Sequence, residues 1–383
     1  MGNSYIAKTL KGLEEVLATE LIALGADNVE IQRRAVAFTG DKMLLYKANL
    51  HLRTALRILM PIYTFKAKTP DEIYEAVKKF DWEQYMDLKT GFAVDATVFS
   101  EEITHSKYAT YRVKDGIADW FREKYNKRPS VKLNNPDLQL NVHISHDTCT
   151  ISLDSSGESL HKRGYRVSQT DAPISEVLAA GMLLLAGWDG QCNFIDPFCG
   201  SGTFLIEAAL IALNIPPGLY RSSFGFEKWK DFDKDLFDVL YQDESGERTF
   251  EHRIFGYDIS RKAIKIAEEN IKSAGLSKYI QLSVQPINQL KAPAGKNLIV
   301  TNPPYGERLD FKELADTYET IGSVLKHRFP DTSAWVISSQ DSLLHKIGLK
   351  PSKKIDLLNG ALECRYNGYD IFAGKRKDFL TKI

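Results

Sequence analysis

Apolar positions along this chain recur with two different periods, and the way the periods alternate divides it. Near the start, residues 5–7 read as a strand, and Leu13, Val16, Leu17 and Leu21 lie at helical spacing before Gly25. Residues 29–32 and 35–39 read as a hairpin, Asp41 caps a helix to residue 49, and 57–67 return as a strand. Strand-helix-strand-strand-helix-strand predicts a small ferredoxin-like unit over 1–67. A second α+β unit is expected over 68–158. Thr69-Pro70 opens a helix to residue 79, 92–99 is a strand, 111–125 a helix, and 138–145 with 149–154 a hairpin. From Ile174 onward helix and strand alternate: helices over 174–187, 203–213, 261–274 and 312–328, and strands ending at Ile195 and over 254–258, 280–284, 297–301 and 333–339. A pair near 353–358 and 368–373 completes the series. Such alternation predicts a mostly parallel, doubly wound sheet, an α/β domain over 159–383. Residues 214–252 interrupt it: Pro216-Pro217-Gly218 breaks a helix, and the acidic run from Asp231 to Glu247 reads as a solvated face.

Composition changes this picture little. Hydrophobic residues make up 43% and charged residues 26% of the 383, ordinary for a globular chain. Lys+Arg and Asp+Glu number 50 each, so any polyanion-binding surface must be local. Cys149, Cys192, Cys199 and Cys364 form no C-x-x-C pair, which argues against a zinc site or a disulfide framework and for a reducing, cytoplasmic setting. The histidines show no metal-ligand spacing, so no metal is expected. Met1-Gly2-Asn3-Ser4-Tyr5 does not read as a signal peptide, and no apolar run is long enough to span a bilayer.

Two stretches carry chemistry. Asp196-Pro197-Phe198-Cys199-Gly200-Ser201-Gly202-Thr203 joins a strand to an apolar helix. Its glycines admit close approach of a ligand to the backbone, and the helix N-terminus offers free N–H groups. The turn suits a dinucleotide or a methionine-type cofactor. It matches neither G-x-G-x-x-G nor a P-loop. Asn302-Pro303-Pro304-Tyr305 ends a buried strand in a stiff elbow, because neither proline has an N–H and each fixes its φ. The Asn302 side-chain oxygen and the Pro303 carbonyl can together accept two hydrogens of a planar exocyclic amine. The Tyr305 ring offers a face on which a base can stack, a role that needs the ring and not the hydroxyl. Asp258 ends the next strand, where a carboxylate can accept the two ribose hydroxyls of a nucleoside. Asp196 either accepts from an ammonium group or caps the glycine turn. Cys199 reads as a small turn residue rather than a nucleophile.

With these residues in view the chain resembles the class I methyltransferases. Asp196 to Thr203 looks like their S-adenosylmethionine (SAM) loop, and Asn302-Pro303-Pro304-Tyr305 resembles the catalytic tetrapeptide of those that methylate exocyclic amines of nucleobases. Leu160-His161-Lys162-Arg163-Gly164-Tyr165-Arg166, Gly12-Leu13-Glu14-Glu15 and Ser106-Lys107-Tyr108 resemble signatures of one group among them. In that group a ferredoxin-like unit and an RNA-binding THUMP domain precede the catalytic domain. It includes bacterial large-subunit ribosomal RNA N2-guanine methyltransferases.

The resemblance implies a seven-stranded sheet with the last strand antiparallel, SAM as cofactor, and ribosomal RNA as partner. It implies SAM contacts at Asp196, Phe198, Cys199, Gly200, Ser201, Gly202, Thr203, Asp258 and Ile259, and catalysis at Asn302, Pro303, Pro304 and Tyr305. The basic run gives phosphate contacts at Lys162, Arg163 and Arg166, or else a solvated linker. Arg308 either holds a phosphate or pairs with Glu307. The acid that often contacts the cofactor adenine after the third strand is missing; Gln285 or Asn288 can take that role. Transfer RNA guanine, adenine N6, and an RNA-binding protein with an inactive fold are the competing readings.

Overall fold

A computed structural model describes residues 2–103, 105–170, 173–305 and 310–372. Arg308 lies outside the described residues. Strands and helices in chain order are β1 (Asn3–Lys8), α1 (Glu14–Ala23), β2 (Asp27–Gln32), β3 (Ala35–Gly40), α2 (Lys42–His51) and β4 (Arg57–Lys66). Then come α3 (Pro70–Lys79), β5 (Phe92–Phe99), α4 (Ser106–Tyr125), β6 (Leu138–Ser145), β7 (Thr148–Asp154), α5 (Glu176–Leu185), β8 (Asn193–Asp196), α6 (Thr203–Ala212) and α7 (Lys234–Tyr241). The chain closes with β9 (Ile254–Asp258), α8 (Arg261–Ser273), β10 (Ile280–Val284), β11 (Asn297–Thr301), α9 (Phe311–Arg328), β12 (Thr332–Ser338), α10 (Asp341–Lys346), β13 (Lys353–Asn359) and β14 (Leu362–Ile371). Contacts divide the chain into two compact units, one of residues 1–9, 18–160 and 221–242, the other of residues 10–17, 161–220 and 243–383.

The first unit is built on one seven-stranded sheet of order β2-β3-β1-β4-β7-β6-β5. Local signals start its helices as expected: the Asp41 side chain accepts from Leu44 N–H, and Thr69 does the same for Glu72 N–H ahead of Pro70. β4 pairs with β1 on one side and with β7 on the other, so both expected N-terminal modules share a single ladder. Residues 221–242 belong to this unit. Their acidic side chains at Asp231, Asp233 and Asp235 are exposed, as expected of a solvated face. Interleaved aromatics do the packing: Phe224, Phe226 and Phe237 are buried, and the Phe226 and Tyr46 rings stack at 4.4 Å.

The second unit holds a seven-stranded sheet of order β10-β9-β8-β11-β12-β14-β13. β8 to β12 are mutually parallel, and β14 runs antiparallel to β12. This is the doubly wound α/β arrangement expected, with the last strand antiparallel. The C-terminal pair differs from expectation. β14 begins at Leu362 rather than near residue 368, because the Gly360-Ala361 loop closes a tight hairpin. Gly360 has φ +63°, as the first central position of a two-residue loop requires. Strand order reverses between β8 and β11, and β8 leads into the glycine turn while β11 leads into the elbow. Crevices at such reversals, outside the carboxyl ends of the strands, are where open α/β sheets take ligands.

Candidate functional site

The site is assembled from the carboxyl ends of β8, β9 and β11. Asp196, the last residue of β8, is 1% exposed. Its Oδ1 accepts from Phe198 N–H at 3.1 Å and from the Thr301 hydroxyl at 2.6 Å. Its Oδ2 is buried and has no hydrogen-bond partner among the described residues. Burial pushes the Asp196 carboxyl up to about 7, with the Asp258 charge adding in the same direction. The unmet oxygen of a buried carboxylate is a fitting acceptor for a cationic ligand group.

Asp258 closes β9. Its Oδ2 accepts from Gly200 N–H at 3.0 Å and its Oδ1 from Ser260 N–H at 2.8 Å. A carboxylate has about four lone-pair sites, so both oxygens can still accept further hydrogen bonds. Ser260 itself caps α8, its hydroxyl accepting from Ala263 N–H, which leaves Asp258 unneeded as a cap. Ile259 beside it is 75% exposed, an apolar surface next to the turn.

Gly200 and Gly202 have φ of +52° and +83°. Among the described residues, a Cβ added at Gly200 would meet only Thr170 Oγ1, at 3.9 Å, which leaves a cradle over the turn. One added at Gly202 would come within 3.2 Å of Ala267 Cβ on α8. Ser201 and Thr203 are buried, and Phe198 packs against the hydrophobic core. Burial, with the Asp196 and Asp258 charges nearby, holds the Cys199 thiol well above its ordinary range, in keeping with a turn residue rather than a thiolate nucleophile.

At the elbow, Asn302 Oδ1 is buried and has no partner among the described residues, Pro303 is buried and Pro304 exposed. The Tyr305 ring packs against the core, and its hydroxyl accepts from Asn359 Nδ2 at 2.7 Å.

The basic run is placed differently from expectation. Arg163 is 2% exposed, and its Nε lies 3.3 Å from Glu207 Oε1, which also accepts from the Tyr165 hydroxyl at 3.0 Å. A phosphate cannot reach a guanidinium so enclosed. Arg166 donates from Nε to Glu176 at 2.8 Å, from Nη1 to Ser201 Oγ at 2.9 Å and from Nη2 to Thr203 Oγ1 at 2.9 Å. It therefore braces the glycine turn from behind. Lys162 alone of these three is exposed.

Three residues at the site escaped the sequence reading. Thr301 is one. Asn270 is another: its side chain donates to Ser201 O at 3.0 Å and accepts from Val167 N–H at 2.9 Å. A signal existed for it, since Asn270 falls on the buried stripe of α8 with Ala263, Ala267 and Ile271. The third, Asn359, is distant in sequence from everything it touches at the site.

No group of three or more His, Cys, Asp or Glu among the described residues could hold a metal, and no described helix is long and apolar enough to cross a membrane.

Comparison with known proteins adds a family to this geometry. Residues 163–367 match the RMKL-like methyltransferase domain, 67–154 the THUMP domain and 4–59 the RlmL ferredoxin-like domain. The chain is 40% identical over 371 residues to a Synechocystis protein described as a candidate RNA methyltransferase, covering 96% of this chain and 97% of the relative. It is 42% identical to the ribosomal RNA large subunit methyltransferase K/L of Syntrophotalea carbinolica over 96% of this chain, but covers only 53% of that protein. It thus spans about half the length of the K/L enzymes it matches. A candidate methyltransferase crystallised with S-adenosylhomocysteine (SAH) superposes with a TM-score of 0.88 at 30% identity, covering 98% of this chain and 99% of that one. Buried acceptors, a glycine cradle and a proline elbow at one sheet reversal thus meet these matches in a single conclusion: the chain belongs to the RMKL-like family of SAM-dependent methyltransferases, in company with a THUMP and an RlmL ferredoxin-like domain.

Proposed function

We propose that this chain transfers a methyl group from SAM to the exocyclic N2 amine of a guanine in large-subunit ribosomal RNA, in the cytoplasm. The observation that carries this reading is the pair of buried acceptors, Asp196 Oδ2 and Asn302 Oδ1, that have no partner among the described residues, at the ends of neighbouring strands. The first suits an ammonium group, the second an amine hydrogen. The names of the K/L relatives point to ribosomal RNA rather than transfer RNA.

Asp196 would meet the SAM ammonium, Asp258 the ribose hydroxyls, and the turn from Phe198 to Thr203 with Ile259 the remaining surface. When bound, SAM supplies an electrophilic methyl group on a sulfonium. The residues of the elbow do the rest. Asn302 Oδ1 accepts one hydrogen of the amine and the Pro303 carbonyl the other. Holding both hydrogens favours a more pyramidal, more nucleophilic nitrogen, and the interaction strengthens as positive charge develops there. Pro303 and Pro304 keep the elbow stiff, so little reorganisation accompanies reaction. The methylated amine is acidic and sheds its proton afterwards, so the elbow needs no general base. Tyr305 supplies the stacking surface, and Lys162 together with the first unit supplies contacts to RNA.

The test is transfer of labelled methyl from SAM to large-subunit ribosomal RNA, followed by nucleoside analysis. Label on N2-methylguanosine is expected. Label on adenine N6, or on transfer RNA alone, would replace the substrate and keep the chemistry; no transfer to any RNA would point to an inactive fold.

A further inference from the structure

We infer that Asn359, in the hairpin between β13 and β14, is a positioning residue for the base-stacking ring of Tyr305. The inference rests on the proposed role of the elbow. It assigns that site a wall that neither the glycine turn nor the proline motif contains.

Asn359 Nδ2 donates to the Tyr305 hydroxyl at 2.7 Å, and Cys364 Sγ lies 3.9 Å from the same oxygen. Tyr305 is thereby gripped at both ends: its backbone follows Pro303 and Pro304, and its phenol is held by the hairpin. Burial pushes the phenol above its ordinary range, so it stays neutral. A ring tethered at its Cα alone turns about two side-chain torsions. Tethering the oxygen as well fixes the direction of the ring's long axis, and packing against the core limits rotation about that axis, so the stacking surface is held in place.

The hairpin is suited to this task. Asn359 pairs with Leu362 across the Gly360-Ala361 loop, the shortest common hairpin connection, so the Asn359 backbone has little freedom. β14 is registered on β12 with Arg365 opposite Ser338, which brings the hairpin to the carboxyl ends of the parallel strands. The hydroxyl of Tyr305 therefore has a use that stacking alone would not give it.

Asn359→Leu removes the donor at similar size. It is expected to raise KM for RNA about five- to tenfold, the worth of one neutral hydrogen bond, while kcat at saturating RNA and SAH affinity stay near those of the parent. Tyr305→Phe is expected to show the same split. The double variant should be no worse than either single one, since both remove one interaction. Asn359→Asp, which lets the phenol donate instead, should restore most of the RNA KM. Unchanged KM in a folded Asn359→Leu protein, or losses that multiply in the double variant, would overturn the assignment. If Asn302→Ala also transfers methyl normally, the elbow reading itself has failed; if only the Asn359 results depart, the positioning role alone is wrong.

Discussion

The Thr301 hydroxyl donates a 2.6 Å hydrogen bond to Asp196 Oδ1 inside the sheet, joining the strand that ends in the elbow to the strand that ends in the glycine turn. Thr301→Val keeps the shape and deletes the donor. SAH affinity measured by calorimetry above pH ~7, where Asp196 is ionised, should fall, because the carboxylate loses the contact that orients it toward the ligand. An unchanged affinity would mean that Thr301 does not orient Asp196 for the cofactor.

The buried carboxyl of Asp196 titrates at about 7 against an ordinary 3.8. Between those values the folded chain keeps a proton that the unfolded chain has lost. Stability attributable to this group therefore falls as pH rises through that window, and Asp196→Asn should flatten the fall in denaturant titrations. A ligand cation beside Asp196 favours the carboxylate, so SAH binding below about pH 7 should expel a proton and tighten as pH rises. Calorimetry in buffers of different ionisation enthalpy reads that proton directly.

Asp258→Ala should cost SAH binding about 1.5–3 kcal/mol for each charge-assisted hydrogen bond lost. It also frees Gly200 N–H and Ser260 N–H, so the turn loosens as well. Gly200→Val forces a branched residue to φ +52° and fills the cradle. Both variants should remain folded by circular dichroism while calorimetry shows the loss.

Asn302→Ala should lower kcat and kcat/KM together by ~10²–10³-fold, since its interaction strengthens in the transition state. Affinity for SAH should change far less. Single-turnover transfer of labelled methyl separates chemistry from release, and near-normal rates would refute the amine-recognition mechanism.

Arg163→Met and Arg166→Met test the internal role of the basic run. Breaking the buried Arg163–Glu207 pair should destabilise the second unit by about 3–5 kcal/mol. Arg166→Met should weaken SAH binding through Ser201 and Thr203. A fragment starting at Ser168 lacks both arginines and Tyr165, so it should bind SAH poorly. Normal SAH binding by that fragment would show the brace to be dispensable.

Much of this was legible because local chemistry decides it. Two prolines after an apolar run fix where β11 ends, and Asp41, Thr69 and Ser260 announce their helices. Arg163 was misread because its complement, Glu207, lies 44 residues further on within an apolar helix. In a linear reading the run has four charges or aromatics and no acid, which resembles a phosphate contact. The run from Asp231 to Glu247 reads as a solvated acidic face, yet phenylalanines before and within it, Phe226 and Phe237 among them, pack residues 221–242 into the first unit. Asn359 was invisible for a similar reason. A hairpin asparagine before glycine is accounted for by the turn alone, and only the fold brings it to Tyr305.

The shared ladder of the first unit has a mechanical consequence. β4 lies largely between the segments matched as two separate modules, and it is bonded to strands of both. There is no hinge to flex where the matched segments adjoin, because bending there would shear backbone hydrogen bonds along β4. Whatever surface the unit offers to RNA thus behaves as one stiff blade. Amide exchange along β4 should slow and quicken in step with β1 and β7, and grafting either module elsewhere would expose a raw sheet edge.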